Sequence, residues 1–378
     1  MAPVAGGASL MAARLWVLEG GKPGDTTQLL NLAERLSVPF ERRRLVPKAR
    51  WVLGKPPLLP SLYPFDLSAS DPLAPPWPEV ILVAGRRPTM AALWVQRQSQ
   101  GRTRLVILGR PKGYRKRFSL ILAPPQALIP EAPDVLRLEA PLFVAKTPAL
   151  APSAQALEDD LRALPRPLTA VMLGGATRPY RFDEAVLSDL LETLTRQPEL
   201  SRGTLYFCGS RRTAPAVLDA LAQRLPLGAR LYRWQEQDPA NPYGALRRQA
   251  DQIIATSDSL SMLMELSGDG APLGIYPLPK TVDWRERLER IVGAFPRLAA
   301  LRASAVARGW LPAPRNLDAV AEALVASGAA YRLGEGQGPS IPAEGISGER
   351  ALGQACAAVE ALLTARAPKA HHTVLGDP

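Results

Sequence analysis

The sequence predicts an α/β protein built from two doubly wound parallel sheets, and three observations carry that prediction. Short, wholly apolar runs such as "PEVILVAG" (78–85), "TAVML" (169–173) and "QIIA" (252–255) read as strands buried on both faces. Each run passes through Gly, Ser or Thr into a segment with helical apolar spacing. The alternation is interrupted once, by the Pro- and Ala-rich stretch "AKTPALAPSAQALEDDLRALPRP" (145–167), and then starts again.

The first half opens with "ARLWVLEGGKPGDTTQLLNLAERL", which reads as a strand (13–18), a Gly-rich turn (19–24) and a helix (25–36). Leu29, Leu32, Ala33 and Leu36 fall on one face of that helix. The strand 78–85 ends in Gly85–Arg86–Arg87 and leads into the helix "TMAALWVQRQSQ"; "TRLVILGR" (103–110) and "FSLILAPP" (118–125) continue the rhythm. In the second half, "LTAVMLGGATRPYRFDEAVLSDLLETLTRQ" is strand, Gly turn and helix, and "GTLYFCGSRRTAPAVLDALAQRL" repeats the plan. "QADQIIATSDSLSMLMELSGDGAPLGIYPLP" repeats it again and ends in a fourth strand. Residues 284–333 read as helical with one Pro-rich break. The domain boundaries that follow are 1–146 and 168–333 for the two α/β domains, with a linker at 147–167. A Gly/Pro linker and a trailing helix occupy 334–366, and 367–378 is an expected disordered tail.

A chain of 378 residues can bury two cores, and 47% hydrophobic with 21% charged residues describes a globular protein. Lys and Arg number 46 against 35 Asp and Glu, a net charge of +11. Residues 1–150 hold 21 basic and 10 acidic side chains, so this half accounts for the whole excess. It is densest in "ERRRLVPKAR" (41–50) and "GRPKGYRKRF" (109–118). Such one-sided charge fits an anionic membrane surface or an acidic acceptor, with a solvated Arg-rich face as the structural alternative. Nucleic acid is not expected, because no recognition helix, zinc spacing or aromatic-interleaved strand is present. The two cysteines, Cys208 and Cys356, are too far apart in sequence for a metal motif or a disulfide framework. With no apolar run near the roughly 18–20 residues of a spanning helix and no signal-peptide pattern, a cytoplasmic protein, peripheral at the inner membrane, is expected. The only histidines, His371 and His372, lie in the tail. Histidine-based triads and histidine metal sites are thereby excluded from the body of the chain.

Three strand ends of the second half carry chemistry. Gly174–Gly175 follows "TAVML", Ser210–Arg211–Arg212–Thr213 follows "TLYFCG", and Thr256–Ser257–Asp258–Ser259 follows "QIIA". Glycine lets backbone approach a ligand, hydroxyls and helix N-termini bind phosphate, and Arg offers a two-pronged donor. Each motif alone has a plain structural role, as a turn, a solvated pair or a helix cap; at equivalent strand ends together they point to a diphosphate site. Glu265 can accept from the two hydroxyls of a ribose, or can simply sit in a helix's first turn where the dipole favours it. Met262 and Met264 are most simply core. Two doubly wound domains with a connecting linker suggest the two-domain arrangement of nucleotide-sugar glycosyltransferases, one of several that the pattern allows. There the ligand sits in the cleft between the domains, at the carboxyl ends of the strands.

The segments "GGATRPYRFD", "CGSRRTAP", "NPYGALRRQADQIIATSDSLSMLMELSGDGAPLGIYPLP" and, more loosely, "KPGDTTQLLNLA" and "LVAGRR" resemble the bacterial branch of the mitochondrial-fission (elongated mitochondria) family over roughly residues 15–280. The resemblance implies a glycosyltransferase B-like fold. Plant members of that family act as outer-membrane adaptors that recruit dynamin-related proteins; bacterial members look like glycosyltransferases and have been labelled nucleotide-sugar epimerases. Gly174, Gly175, Ser210, Arg211, Arg212, Thr213, Asn241, Tyr243, Ser257, Asp258, Ser259, Met262 and Glu265 stand at the family's recurrent positions. The resemblance implies a ribose role for Glu265 and roles near the phosphates for Ser257, Ser259 and the Arg pair. The chain departs from the family's pattern where a His-Asp pair is usual in the first domain, reading "APPQALIP" (123–130), and where Gly24–Asp25–Thr26 replaces a Gly-Asp-Glu.

The expected function is therefore metal-independent transfer of a sugar from a nucleoside diphosphate to an acceptor that the sequence does not identify, a membrane-linked one among the candidates. The nucleotide sugar is the donor substrate, and no cofactor is expected. Gly85 and Arg86 are expected to line the cleft from the first domain. Asp25, in the first Gly-rich loop, is the candidate general base, with capping of helix 25–36 the other role open to it. A non-catalytic membrane adaptor and a nucleotide-sugar epimerase are the alternatives.

Overall fold

Parallel strands have no water-facing side and must be covered by helices on both faces, so apolar runs separated by amphipathic segments fold into layers. The computed structural model describes residues 15–20, 23–52, 56–143, 152–176, 179–281, 294–307, 316–335 and 346–365. The expectations for the N-terminal residues 1–14, for part of each linker and for the tail lie outside the described residues.

Two compact units make up the chain. One contains the residues up to Leu138, Ala305–Pro314 and those from Ala351 onward; the other contains Glu139–Ser304 and Arg315–Arg350. The strands of the first unit are β1 (Leu15–Glu19), β2 (Phe40–Arg44), β3 (Val80–Ala84), β4 (Arg104–Leu108), β5 (Phe118–Ala123) and β6 (Val135–Arg137). They pair in parallel in the order β2-β1-β3-β4-β5-β6. Its helices are α1 (Pro23–Arg35), the short α2 (Ala49–Val52) and α3 (Arg86–Gln98). Helix α1 begins two residues before the expected 25–36 segment, so Asp25 lies inside its first turn and not ahead of it.

In the second unit α4 (Pro152–Arg162) precedes β7 (Leu168–Leu173), α5 (Glu184–Thr195), α6 (Pro198–Ser201), β8 (Thr204–Gly209), α7 (Pro215–Gln223) and β9 (Arg230–Tyr232). Then come α8 (Tyr243–Gln249), β10 (Gln252–Thr256), α9 (Leu260–Leu266), β11 (Leu273–Tyr276), α10 (Pro296–Ala307), α11 (Ala319–Ala326) and β12 (Tyr331–Arg332). The sheet order is β12-β11-β10-β7-β8-β9, again all parallel. Counted within the unit this is the doubly wound order 3-2-1-4-5-6. The winding direction reverses between β7 and β10 here, and between β1 and β3 in the first unit. Ligands of such sheets bind outside the carboxyl ends of the strands at that reversal.

Each sheet has its own core. Trp16, Leu18, Ile81, Val83, Leu105 and Ile107 from the strands pack on Ala91, Ala92 and Val95 of α3. In the second unit Val171, Leu173, Phe207 and Ile254 pack on Val186, Leu187 and Leu190 of α5 and on Val217 and Leu221 of α7. Helix α5 starts where Asp183 Oδ1 accepts from Val186 N at 3.1 Å.

Four strands were not expected from sequence. β2 lies within the basic "ERRR" run, and β6, β9 and β12 have three, three and two residues. β12 also falls in the segment 284–333 read as helix; it closes the sheet by pairing Tyr331 and Arg332 with Gly274 and Ile275. The trailing helix, α12 (Gly348–Thr364), joins the first unit from Ala351 onward. Its Ala351, Leu352, Ala355, Cys356, Val359 and Leu363 are buried, Cys356 Sγ lies 4.0 Å from Leu32 O of α1, and Arg104 Nη1 donates to Ala365 O at 3.0 Å. Among the described residues no helix is long and apolar enough to cross a membrane.

If α12 is part of the first core, Leu352→Ala should cost about 2–5 kcal/mol, read by urea unfolding. Tryptophan fluorescence is a suitable probe because Trp16, Trp77 and Trp94 stack edge-to-face in that unit. An unchanged midpoint would show that α12 contributes nothing to the first core.

Candidate functional site

Because β7 lies between β10 and β8, the three strand-end motifs are neighbours at the carboxyl edge of the second sheet. The closest contacts there are made by residues that hold the edge together. Gly174 N donates to Thr256 Oγ1 at 2.8 Å and Gly175 N to Asp258 Oδ2 at 3.0 Å. Thr256 Oγ1 donates in turn to Asp258 Oδ1 at 2.7 Å. The Asp258 side chain is fully buried, and Arg212 Nη2 approaches its Oδ2 to 3.5 Å from the rim. A β-carbon on Gly174 would stand 2.0 Å from Asp258 Oδ1, and one on Gly175 would stand 2.0 Å from the Arg212 carbonyl oxygen. The Gly-Gly pair is thus a demand of close packing. Burial pushes the Asp258 carboxyl above its ordinary value, while Gly175 N–H, the Thr256 hydroxyl and Arg212 pull against it.

The neighbouring loop is braced in the same way. Thr213 Oγ1 accepts from Ser210 N at 2.9 Å and lies 2.6 Å from Gly174 O and 3.0 Å from Leu173 O, tying the end of β8 to the end of β7. Ser257 Oγ accepts from Leu278 N at 3.0 Å and borders a separate cavity of about 340 Å³ beneath α11. Ser259 is the N-cap of α9 without a capping bond from its side chain. Of the expected diphosphate residues, Gly174, Gly175, Arg212, Thr213 and Asp258 therefore form a latch, and Ser257 secures the segment after β11.

Ser210 and Arg211 converge with Asn241, Tyr243, Met262 and Glu265 on one pocket of about 290 Å³, which Ser259 does not line. Met172 and Leu173 of β7, Cys208 and Gly209 of β8, and Ser261, Met262 and Glu265 of α9 wall it. Ser210, Arg211, Trp234, Asn241 and Tyr243 complete the lining. Asn241 Oδ1 accepts from Tyr243 N at 3.0 Å, an Asx turn that starts α8. Tyr243 Oη donates to Glu265 Oε2 at 3.0 Å. Arg247, one turn along α8, lies 3.5 Å from the same oxygen and makes a two-pronged pair with Asp269, 2.7 Å on each prong. Burial first, and then the Glu265 charge, push the Tyr243 phenol well above its usual range. Tyr243 is thus a fixed donor at neutral pH. The Cys208 thiol, buried in the pocket floor, is pushed up to about 12.

The family model described as Mitochondrial fission ELM1 matches residues 23–325. The chain belongs to this family. The Arabidopsis thaliana mitochondrial fission protein ELM1 is 24% identical over 229 residues, 52% of this chain and 51% of that protein, so the match spans about half the relative's length. An uncharacterized protein of Rickettsia prowazekii (strain Madrid E) is 23% identical over 303 residues, 70% of this chain and 83% of that one. Among solved structures, the UDP-GlcNAc 2-epimerase from Methanocaldococcus jannaschii aligns over 93% of this chain and 99% of its own, at 13% identity and a TM-score of 0.47. The spinosyn forosaminyltransferase SpnP aligns over 93% and 94%, at 14% identity and 0.44.

In this ELM1-family chain the remaining expected residues belong to the first unit, at its own reversal. Gly85, at φ 82°, precedes α3, and a β-carbon built on it would lie 3.9 Å from Asp25 Oδ2. Arg86 Nη1 donates to Pro56 O at 3.3 Å, so its guanidinium secures the segment after α2. Sequence reasoning missed Trp234, Arg247, Asp269 and the pocket floor of Met172 and Cys208. A signal existed for one of them: in "NPYGALRRQ" Arg247 is four residues after Tyr243 and shares its helix face.

The raised Asp258 value has a measurable consequence. The folded protein holds that proton more tightly than the unfolded chain, so its contribution to stability is full below the ordinary value of 3.8 and is lost as pH rises through the folded value. Asp258→Asn has no such proton to lose. Its stability relative to wild type should improve as pH rises from about 3.8 and then level off, as read from urea midpoints across the acidic range. A difference that is flat with pH would place the carboxylate in a water-like setting.

Proposed function

We propose that the second unit binds a nucleoside-diphosphate sugar in the 290 Å³ pocket and that the chain transfers the sugar to an acceptor held by the first unit. The carrying observation is the convergence in one pocket, beside the winding reversal, of a carboxylate (Glu265), a guanidinium (Arg211), a hydroxyl (Ser210) and an indole (Trp234). These are the groups a nucleotide needs: an acceptor for the ribose hydroxyls, donors for the phosphates and an aromatic face for the base. Tyr243 and Asn241 fix the ribose end. The latch around Asp258 holds the phosphate end rigid, so that donors meet the ligand already placed.

Transfer then forms a bond between an acceptor oxygen and the anomeric carbon as the bond to the β-phosphate oxygen breaks. The acceptor proton passes to a base, and the charge growing on the diphosphate is met by Arg211. Asp25, beside Gly85 at the first unit's reversal, is assigned as that base.

Two observations favour a second reading, a non-catalytic adaptor on an anionic membrane. The chain has no histidine before His371, and the Arabidopsis relative is named for mitochondrial fission. Titration calorimetry with ADP, GDP, CDP and UDP separates the readings. At least one should bind wild type, and Glu265→Gln should weaken that ligand about 10- to 100-fold by removing a charged hydrogen-bond acceptor. Asp25→Asn should leave its affinity unchanged while abolishing transfer. If none of the four binds, the enzyme reading is lost and flotation with anionic against neutral vesicles becomes the informative measurement. Donor consumed with no acceptor present would instead mark an epimerase.

A further inference from the structure

The Glu265 carboxylate does not orient itself. It sits late in a helix of seven residues, is 31% exposed, and its Oε2 is met from α8 by Tyr243 Oη at 3.0 Å and Arg247 Nη1 at 3.5 Å. Arg247 is in turn locked from behind. Asp269, in the turn that follows α9, takes Nε and Nη2 at 2.7 Å each, and the two side chains are only 10% and 13% exposed. The guanidinium also lies 5.7 Å from the Tyr243 ring centre. Neither Arg247 nor Asp269 lines the pocket. One planar cation thus joins α8 to both ends of the Glu265 environment, the helix that carries the carboxylate and the turn that ends that helix.

We infer that Arg247 and Asp269 are a positioning pair whose task is to hold Glu265 in the orientation that accepts from a ribose diol, so that preference for ribo- over 2′-deoxyribonucleotides resides in residues outside the pocket. The inference rests on the nucleotide reading above and adds to it a determinant of sugar selectivity. The fork is what matters: Lys keeps the charge but has a single point of attachment, and Asn keeps the shape of Asp269 but accepts through one oxygen only. A carboxylate free to turn still accepts from solvent, and gains less from a second ribose hydroxyl than one already aimed at both.

The test uses the full chain and whichever of ADP, GDP, CDP or UDP binds wild type most tightly, beside its 2′-deoxy counterpart. Wild type should prefer the ribonucleotide by about tenfold or more, the worth of one charge-assisted hydrogen bond. In Arg247→Lys and in Asp269→Asn that ratio should fall to within about threefold of unity, and Asp269→Glu should restore part of it. Because the ratio is taken within one variant, a general loss of stability weakens both ligands alike and leaves it in place. A wild-type ratio kept by both variants overturns the inference while sparing the nucleotide reading, as does a wild type that binds both sugars equally. If no nucleotide binds wild type, both fall together.

Discussion

A single buried carboxylate organises the edge on which the rest of this protein depends. Asp258 stands where the winding of the second sheet reverses, with one oxygen taking the Thr256 hydroxyl and the other taking Gly175 N–H and the rim guanidinium of Arg212. Burying an ion away from water is unfavourable unless its lone pairs are met, and here both oxygens are met by groups from three strand ends. The reverse dependence is as strong. Without that carboxylate, the Gly175 amide would be a buried donor with no acceptor, an imbalance worth about 1–3 kcal/mol. The Gly-Gly turn, the braced Ser210–Thr213 loop and the pocket beside them share this fixed point.

Holding the edge and lining the pocket are divided among residues of the same chemical types, and position decides which does which. Thr213, Thr256 and Ser257 are buried and their hydroxyls are occupied within the edge. Ser210 and Ser261 line the pocket, the Ser210 hydroxyl while also lying 3.1 Å from Thr213 Oγ1. Arg211 and Arg212 are adjacent, yet only Arg211 lines the pocket while Arg212 turns to Asp258. The two arginines share the tight turn after β8, in which Thr213 N donates to Ser210 O at 3.0 Å, so adjacent side chains of one short stretch leave it in different directions.

That division also explains what could be read in advance. Strands flanked by partners on both sides carry an unbroken apolar pattern, as in β3, all of whose residues are buried, and these were legible. β2 was not, because an edge strand exposes half of itself, and its "FERRR" spends its arginines on neighbours: Arg42 pairs with Glu19 and Arg43 lies 4.6 Å over the Trp16 ring. β12 has two residues and exists only because β11 offers it a partner. In the site, Glu265, Ser210 and Arg211 were legible as residue types at strand and helix ends. The inward direction of Asp258 was not, since packing against glycine sets it. Arg247 and Asp269 meet across 22 residues, a contact that no local periodicity encodes.

The same reasoning narrows what the basic half of the chain can mean. A net excess of 11 positive charges in residues 1–150 invites a membrane reading, but guanidinium groups there do structural tasks. Arg86 and Arg87 hold backbone carbonyls after and within α2, Arg115 pairs with Asp134 at 2.7 Å, and Arg104 reaches the end of α12. Arg110 donates to Leu128 O at 2.8 Å, and burial pulls its value down. A cation whose geometry is fixed by the fold still contributes to the long-range field, yet it cannot rearrange to follow a lipid headgroup. Guanidinium groups held in this way carry their charge as a steady field. Such a field weakens with ionic strength over a Debye length of about 8 Å. Charge of this kind raises the local concentration of anions in general, whereas selecting one among them needs donors that the fold has not already committed to its own carbonyls and carboxylates.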